Sequence, residues 1–322
     1  MTDMKEKKNG DSPMERIRTA VVQVGSCVFE TTRTLEKVGA SCEKAAKQGA
    51  KLVVFPEALV GGYPKGAHFG ARVGSRSAEG REDFRRYYAA AISVPSDETL
   101  ILGELALKHD INIVIGVVEK DSATLYCSVL FFGADGKLRG KHRKIMPTAM
   151  ERLIWGFGDG STMPAIRTEF GILGAAICWE NYMPLFRAAM YAKGVTIWCA
   201  PTVDDRELWQ ATMKHIALEG RCFVLSACQY LAGADSAPKY EAIPEGSSEA
   251  VLIKGGSVII SPFGEILAGP LYGGEDILFA DLDLKEVIRG KFDLDVAGHY
   301  SRPDIFSLSV DQRPKRPVEF LE

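Results

Sequence analysis

Short runs of apolar, often β-branched residues alternate with segments of helical period along nearly the whole chain, and this alternation most limits the fold. Residues 19–24 read as a strand. Residues 31–48 then place Leu35, Val38, Cys42 and Ala45 at helical spacing before Gly49 closes the helix, and residues 51–55 form a second strand ending in Pro56-Glu57. Strand, helix and strand in that order predict an α/β class. Helices are expected over residues 79–92 and 98–109, and strands over 111–118 and 125–132. Asp135-Gly136 supplies a hairpin turn, so the last two strands are expected to be antiparallel and the sheet mixed. The alternation resumes with a strand at 172–178, a helix at 183–193, a strand at 195–200, a helix at 206–219 and a strand at 223–229. Residues 231–249 have no regular apolar period, and strands at 258–261, 266–268 and 277–280 complete the series. No linker of Pro, Gly and Ser interrupts it, so residues 17–290 read as one domain, following a polar leader at 1–16 expected to be disordered. Residues 291–322, polar and aromatic without a period, read as an arm.

Composition narrows the partners. The formal charge of -3 gives no reason to expect nucleic acid or an anionic membrane, so the expected ligand is a small molecule. No apolar stretch reaches the length of a membrane span, and the first 16 residues lack a signal-peptide centre, so a cytoplasmic protein is expected. Seven cysteines, an odd number lying mostly in apolar runs, suit reduced thiols better than a disulfide framework.

Three strand ends place a reactive side chain just after an apolar run: Glu57, Cys178 and Cys199. Sites in α/β sheets gather at the carboxyl ends of strands. Each also has a plainer reading: Glu57 as a solvated strand cap, and both cysteines as inert core. Lys144 ends the basic run Lys141-His142-Arg143-Lys144, which a solvated turn would explain. The apolar Ile145-Met146-Pro147 after it nevertheless points Lys144 inward, where a lysine needs a carboxylate or a function. The glycine-rich stretch at 156–161 lacks the strand and the Lys-Ser/Thr ending of a phosphate loop. The five histidines show no metal-ligand spacing, and no Gly-x-Ser-x-Gly elbow is present. A thiol, a carboxylate and a lysine remain, without a histidine partner. A free thiol with a pKa of about 8.5 needs a base or a cation nearby to act as a nucleophile.

Those residues stand in motifs that resemble the nitrilases of the carbon-nitrogen hydrolase superfamily. The glutamate motif is Val53-Val54-Phe55-Pro56-Glu57-Ala58, the lysine motif runs from Gly140 through Lys144 to Thr148, and the cysteine motif is Gly174-Ala175-Ala176-Ile177-Cys178-Trp179-Glu180-Asn181. The resemblance extends over Gly61-Gly62-Tyr63-Pro64, Glu151-Arg152, residues 155–161, Gly255-Gly256-Ser257 and residues 298–304, covering about 17–310. Cys-Trp-Glu-Asn is similar to the branch that holds plant nitrilases and their bacterial relatives.

The resemblance implies a four-layer α-β-β-α sandwich with two mixed sheets. It implies Cys178 as nucleophile, Glu57 as general base, Lys144 as stabiliser of developing negative charge, and Glu151 as a second glutamate that holds Lys144. It implies that segments 62–69, 181–186 and 202–209 line the pocket, with Tyr63, Trp179, Asn181, Tyr182, Phe186 and Trp209 as candidate substrate contacts. The implied reaction converts a small organic nitrile to its acid and ammonia, with some amide as a side product and no metal or organic cofactor. Arylaliphatic nitriles, aliphatic nitriles and β-cyanoalanine all remain open as substrates. Assembly of homodimers into spirals or filaments, using the carboxyl-terminal segment, is also implied. Two alternatives stay in view: an amidase or carbamoyl hydrolase with the same three residues, and a non-catalytic filament-forming scaffold.

Overall fold

The computed structural model describes residues 16–233, 250–315 and 318. Except for Arg16, the expected leader lies outside the described residues, as does most of the loop expected at 231–249. Six strands form the first sheet: β1 (Arg16–Gln23), β2 (Leu52–Val54), β3 (Asn112–Asp121), β4 (Thr124–Phe132), β5 (Leu138–Arg143) and β13 (Asp276–Asp283). Their order is β13-β1-β2-β3-β4-β5. The second sheet holds β6 (Ile166–Thr168), β7 (Gly171–Ala175), β8 (Ile197–Cys199), β9 (Phe223–Ser226), β10 (Tyr230–Ala232) and β11 (Val251–Ile260), in the order β10-β11-β9-β8-β7-β6. β12 (Ile266–Tyr272) pairs with β11. Both sheets are mixed: β1, β2 and β3 are parallel, as are β7, β8 and β9, and the remaining pairings are antiparallel.

Alternation along the strands builds the four layers. In the first sheet Val21, Val54, Val114 and Phe131 face Leu173, Ala175, Ile197 and Leu225 of the second, forming the core between the sheets. Their sequence neighbours Ala20, Val22, Val53 and Ile113 turn outward onto Leu35, Val38 and Cys42 of α1 (Thr31–Lys47) and onto Leu102 and Ala106 of α3 (Asp97–His109). On the far side Trp198 and Val224 pack against Met190 of α4 (Pro184–Ala192) and against Met213 and Ile216 of α5 (Leu208–Gly220). These strands are apolar on both faces because each sheet is covered on both. Each fully buried Val, Leu or Ile contributes about 1.5–3 kcal/mol.

Local chemistry sets the helix ends. Thr99 accepts from the Ser96 amide at the start of α3, acidic Asp97 and Glu98 follow in its first turn, and Lys108 and His109 sit in its last. Ser77 caps α2 (Ala78–Ala90) by accepting from the Gly80 amide.

Several boundaries differ from expectation. The basic segment before Lys144 is β5, an edge strand rather than a solvated turn. Charged side chains suit an edge strand, which explains why its period is weak. The turn at Asp135-Gly136 therefore joins β4 to β5, while β3 and β4 pair antiparallel as expected. The strand expected to carry Cys178 ends at Ala175, and Cys178 opens a short 3-10 turn. The first strand, expected at 19–24, runs from Arg16 to Gln23 and pairs with β13 along its whole length. A helix, α6 (Lys285–Asp293), precedes the carboxyl-terminal stretch. Among the described residues no helix is long and apolar enough to cross a membrane.

Candidate active site

The side chains singled out by sequence meet where β2, β5 and β7 end. Glu57 lies just beyond β2, in a turn that passes through Ala58 at a φ of 47°. That turn is clipped to β3 by Gly116, whose amide donates to the Pro56 carbonyl at 3.1 Å and whose carbonyl accepts from Leu59 at 2.9 Å. Gln229 donates to the Glu57 carbonyl at 2.7 Å from the opposite sheet. Lys144 follows β5, its amide donating to the Cys127 carbonyl and its own carbonyl accepting from Gly158, both at 2.8 Å.

Cys178 has a φ of 50°, a left-handed conformation costing a non-glycine residue about 1–3 kcal/mol. It is held there because its amide donates to Pro201 at 2.9 Å and its carbonyl accepts from the Asn181 side chain at 2.7 Å. The strand thus hands its cysteine to a strained turn aimed at the gap between the sheets.

There the Lys144 ammonium lies 2.6 Å from Glu57 Oε1 and 2.8 Å from Glu151 Oε2, and the Tyr63 hydroxyl donates to Glu151 Oε1 at 2.8 Å. Glu57 and Lys144 are wholly buried, and Cys178 is only 4% exposed. Burial pushes Glu57 up to about 7, opposed by Lys144 and reinforced by Glu151. Burial also works against the Lys144 ammonium, but the surrounding Glu57, Cys178 and Glu151 hold it charged, well above the ordinary lysine value. The Cys178 thiol is raised by burial and by the Glu57 carboxylate beyond what Lys144 and Thr202 offset. At neutral pH the sulfur is therefore protonated and needs a base at the moment of attack. Thr202 donates to it at 3.2 Å, its own oxygen accepting from the Asp204 amide, so the hydroxyl proton is aimed at sulfur.

A second buried pair ties the lysine and cysteine segments together. Glu180 accepts from the Ile145 amide at 2.5 Å, from the Ile177 amide at 2.7 Å and from His142 Nε2 at 2.9 Å. His142 Nδ1 faces the Thr162 carbonyl, so both ring nitrogens have acceptors. Burial disfavours the charged ring, yet Glu180 raises its pKa above the usual histidine value. His142 and Glu180 are not among the site residues expected from the sequence. Their signal was there, since a histidine beside the lysine and a glutamate beside the cysteine need partners if buried. The contacts of Thr202, Gly116 and Gln229 had no such signal, because they cross between distant segments.

The candidate substrate contacts separate into two groups. Tyr63 touches the charged cluster through Glu151, and Trp179 and Tyr182 are part-exposed, with ring centroids 5.7 Å apart. The Trp179 indole donates to Asp204 at 2.8 Å while Arg206 lies 4.9 Å over its ring. Phe186 and Trp209 instead belong to the outer core beneath α4 and α5, and Trp209 donates to Ser226. The apolar stripe of each helix turns these rings toward the sheet. Asn181 is likewise corrected: its amide donates to Ala176 and Cys178 and accepts from the Trp198 indole, so it builds the cysteine turn. Cys199, the third strand-end candidate, is buried in the core between the sheets.

Residues 18–292 match the carbon-nitrogen hydrolase family. The chain is a carbon-nitrogen hydrolase. Its similarities lie in the nitrilase branch of that family. It is 57% identical over 309 residues to a bifunctional nitrilase/nitrile hydratase of Lupinus angustifolius, covering 94% of this chain and 88% of that protein. A nitrilase of Bradyrhizobium diazoefficiens is 56% identical, with 94% of each chain covered. An aliphatic nitrilase of Sinorhizobium fredii is 53% identical, with 95% of this chain and 99% of the relative covered. Among solved structures, the C. elegans NitFhit protein aligns with a TM-score of 0.72 at 20% identity, over 95% of this chain and 70% of that one. An amidase from Nesterenkonia aligns with a TM-score of 0.64 at 19% identity, over 89% and 98%. These two share the fold of this carbon-nitrogen hydrolase, the four-layer sandwich described above.

Proposed function

We propose that this chain hydrolyses a small organic nitrile to the carboxylic acid and ammonia through a covalent intermediate on Cys178. The observation that carries the reading is a protonated, buried thiol sharing one gap with a carboxylate of raised pKa and a buried ammonium. Glu57 accepts the thiol proton as sulfur bonds to the nitrile carbon, and the nitrogen that receives the carbon-nitrogen electron pair, stabilised by Lys144, takes that proton from Glu57, giving a thioimidate and returning Glu57 to its carboxylate. Water, deprotonated by Glu57, adds to the imidate carbon. Loss of ammonia from that tetrahedral species leaves a thioester, and a second water releases the acid and restores the thiol. If the carbon-sulfur bond breaks before ammonia leaves, the product is the amide, an outcome supported by relatives named as both nitrilase and nitrile hydratase. Glu151, bonded to Lys144 and Tyr63, keeps the ammonium turned toward the reacting nitrogen.

Nitrilase relatives above 50% identity favour nitriles over the amides of the alternative reading. Tyr63, Trp179 and Tyr182 support an arylaliphatic or aliphatic side chain at the substrate's other end. Assembly of homodimers into larger spirals, with the 291–322 arm in the contacts, is supported by exposed Phe292, Ile305 and Phe306. A cytoplasmic location is supported by buried, reduced thiols at Cys42, Cys127, Cys178, Cys199, Cys222 and Cys228.

The test is ammonia release from a nitrile panel by folded Cys178→Ala and Glu57→Gln proteins, with mass spectrometry of the Cys178 adduct. Neither variant turns over, and Glu57→Gln forms no adduct; turnover by Cys178→Ala overturns the reading.

A further inference from the structure

We propose that Cys127, a buried thiol outside the glutamate, lysine and cysteine motifs, is a positioning residue that selects which oxygen of Glu57 receives the Cys178 proton. This rests on the reading of Glu57 as general base. Cys127 lies on β4 and touches both partners of the central ion pair: its carbonyl accepts from the Lys144 amide at 2.8 Å, and its thiol donates to Glu57 Oε1 at 3.6 Å. The Lys144 ammonium donates to that same Oε1 at 2.6 Å. Oε1 thus accepts from two donors, whereas Oε2, equally buried, has no partner at hydrogen-bond distance.

An oxygen already bonded to an ammonium and a thiol is the weaker base of the two, because both bonds draw on its lone pairs. Two donors arriving from β4 and from the end of β5 also stop the carboxylate from flipping, which a single donor would not do. Burial pushes the Cys127 thiol well above its ordinary value, so it stays a donor throughout the neutral range while Cys178 gives up its own proton. In this step the Cys178 sulfur-hydrogen bond breaks, the proton bonds to Oε2, the sulfur electron pair forms the bond to the nitrile carbon, and one carbon-nitrogen π pair moves onto nitrogen. The freed proton then sits on the oxygen turned away from Lys144, so the ammonium is not displaced when Glu57 becomes neutral. The titratable groups surrounding the pair are Lys144, Glu151, Tyr63, Cys178 and Glu180.

The experiment is the pH profile of kcat/KM for the best substrate of the nitrile panel, measured for wild type, Cys127→Ala and Cys127→Ser. A hydrogen bond to the carboxylate lowers its pKa. Cys127→Ala therefore moves the acid limb upward by about half to one pH unit and lowers the rate at that limb roughly three- to tenfold. Cys127→Ser keeps a donor and leaves the limb at or below its wild-type position. An unmoved limb in Cys127→Ala, or equal shifts in the two variants, overturns the proposal. Should Cys127→Ala fail to fold, Cys127→Val restores the volume without a donor and carries the same expectation. Adduct formation by Glu57→Gln separates the two possible failures. If that variant still forms the Cys178 adduct, the general-base reading falls; if it does not and the Cys127 profiles coincide, only the role of Cys127 falls.

Discussion

Gly116→Ala tests how tightly the glutamate turn is held. A Cβ at Gly116 would lie 2.3 Å from the Pro56 carbonyl oxygen, 2.6 Å from Glu57 Cα and 2.7 Å from the Ala58 nitrogen. Ordinary contact begins at 3.4 Å, so the shortest approach is about 1.1 Å too close (3.4 − 2.3), and every atom met is backbone. No side chain can swing away, and the turn carrying Glu57 must lift off β3. A displacement of about 1 Å at a reacting group costs roughly 100-fold in rate. The same overpacking destabilises the fold by about 1–3 kcal/mol. The assay is ammonia release at saturating and limiting nitrile, run beside thermal melts and Cys178 labelling. Gly274→Ala is the control, because a Cβ there meets nothing within 4 Å. The expected result is a folded Gly116→Ala protein with kcat/KM down about 100-fold and a Gly274→Ala protein like wild type. A Gly116→Ala protein within about threefold of wild type, a loss under 1 kcal/mol in the barrier, would refute the claim that Gly116 positions Glu57.

Three further outcomes are expected. Because Glu57 must be ionised to take the thiol proton and its value is raised to about 7, kcat/KM falls as pH drops below about 7; a flat profile down to the ordinary carboxylate range, read by ammonia release, contradicts this. Thr202→Val removes the donor 3.2 Å from the nucleophile sulfur and slows adduct formation about tenfold, measured by mass-spectrometric time courses, and it lowers stability by about 1–3 kcal/mol because the buried Asp204 amide loses its acceptor. The His142 pKa is raised in the folded state, so its contribution to stability is complete below the unfolded value of about 6.5 and is lost as pH climbs through the folded one. The gap in unfolding free energy between wild type and His142→Asn is therefore wider at mildly acid than at alkaline pH; denaturant titrations showing the reverse would remove the Glu180–His142 ion pair from the account.

Much of the architecture was legible because burial on both faces leaves an unmistakable apolar run. β1, β2, β8 and β9, and the stripe of α1, are examples. β5 was not legible, since an edge strand carrying Lys141, His142 and Arg143 has the composition of a turn. Glu119 supplies what the sequence could not show: nearly buried, it bonds both Lys141 and Arg143 and holds that basic run flat against the sheet. The rings of Phe186 and Trp209 were misplaced for a related reason. An aromatic residue near a motif is as apt for the core as for a pocket, and only the facing of α4 and α5 separates the two.

By itself the sequence determined the α/β class, the family, and the identity of a thiol, a carboxylate and a lysine lacking a histidine partner. Those follow from residue type and short-range order, which the chain carries locally. Tertiary structure decided the rest: that Glu57 and Lys144 are 2.6 Å apart although 87 residues separate them, and that Cys178 is a buried, neutral thiol in a left-handed turn. It also decided that Glu57 presents one bonded and one free oxygen. Burial and proximity of distant segments set proton affinities, and neither is a property of any one stretch of the chain.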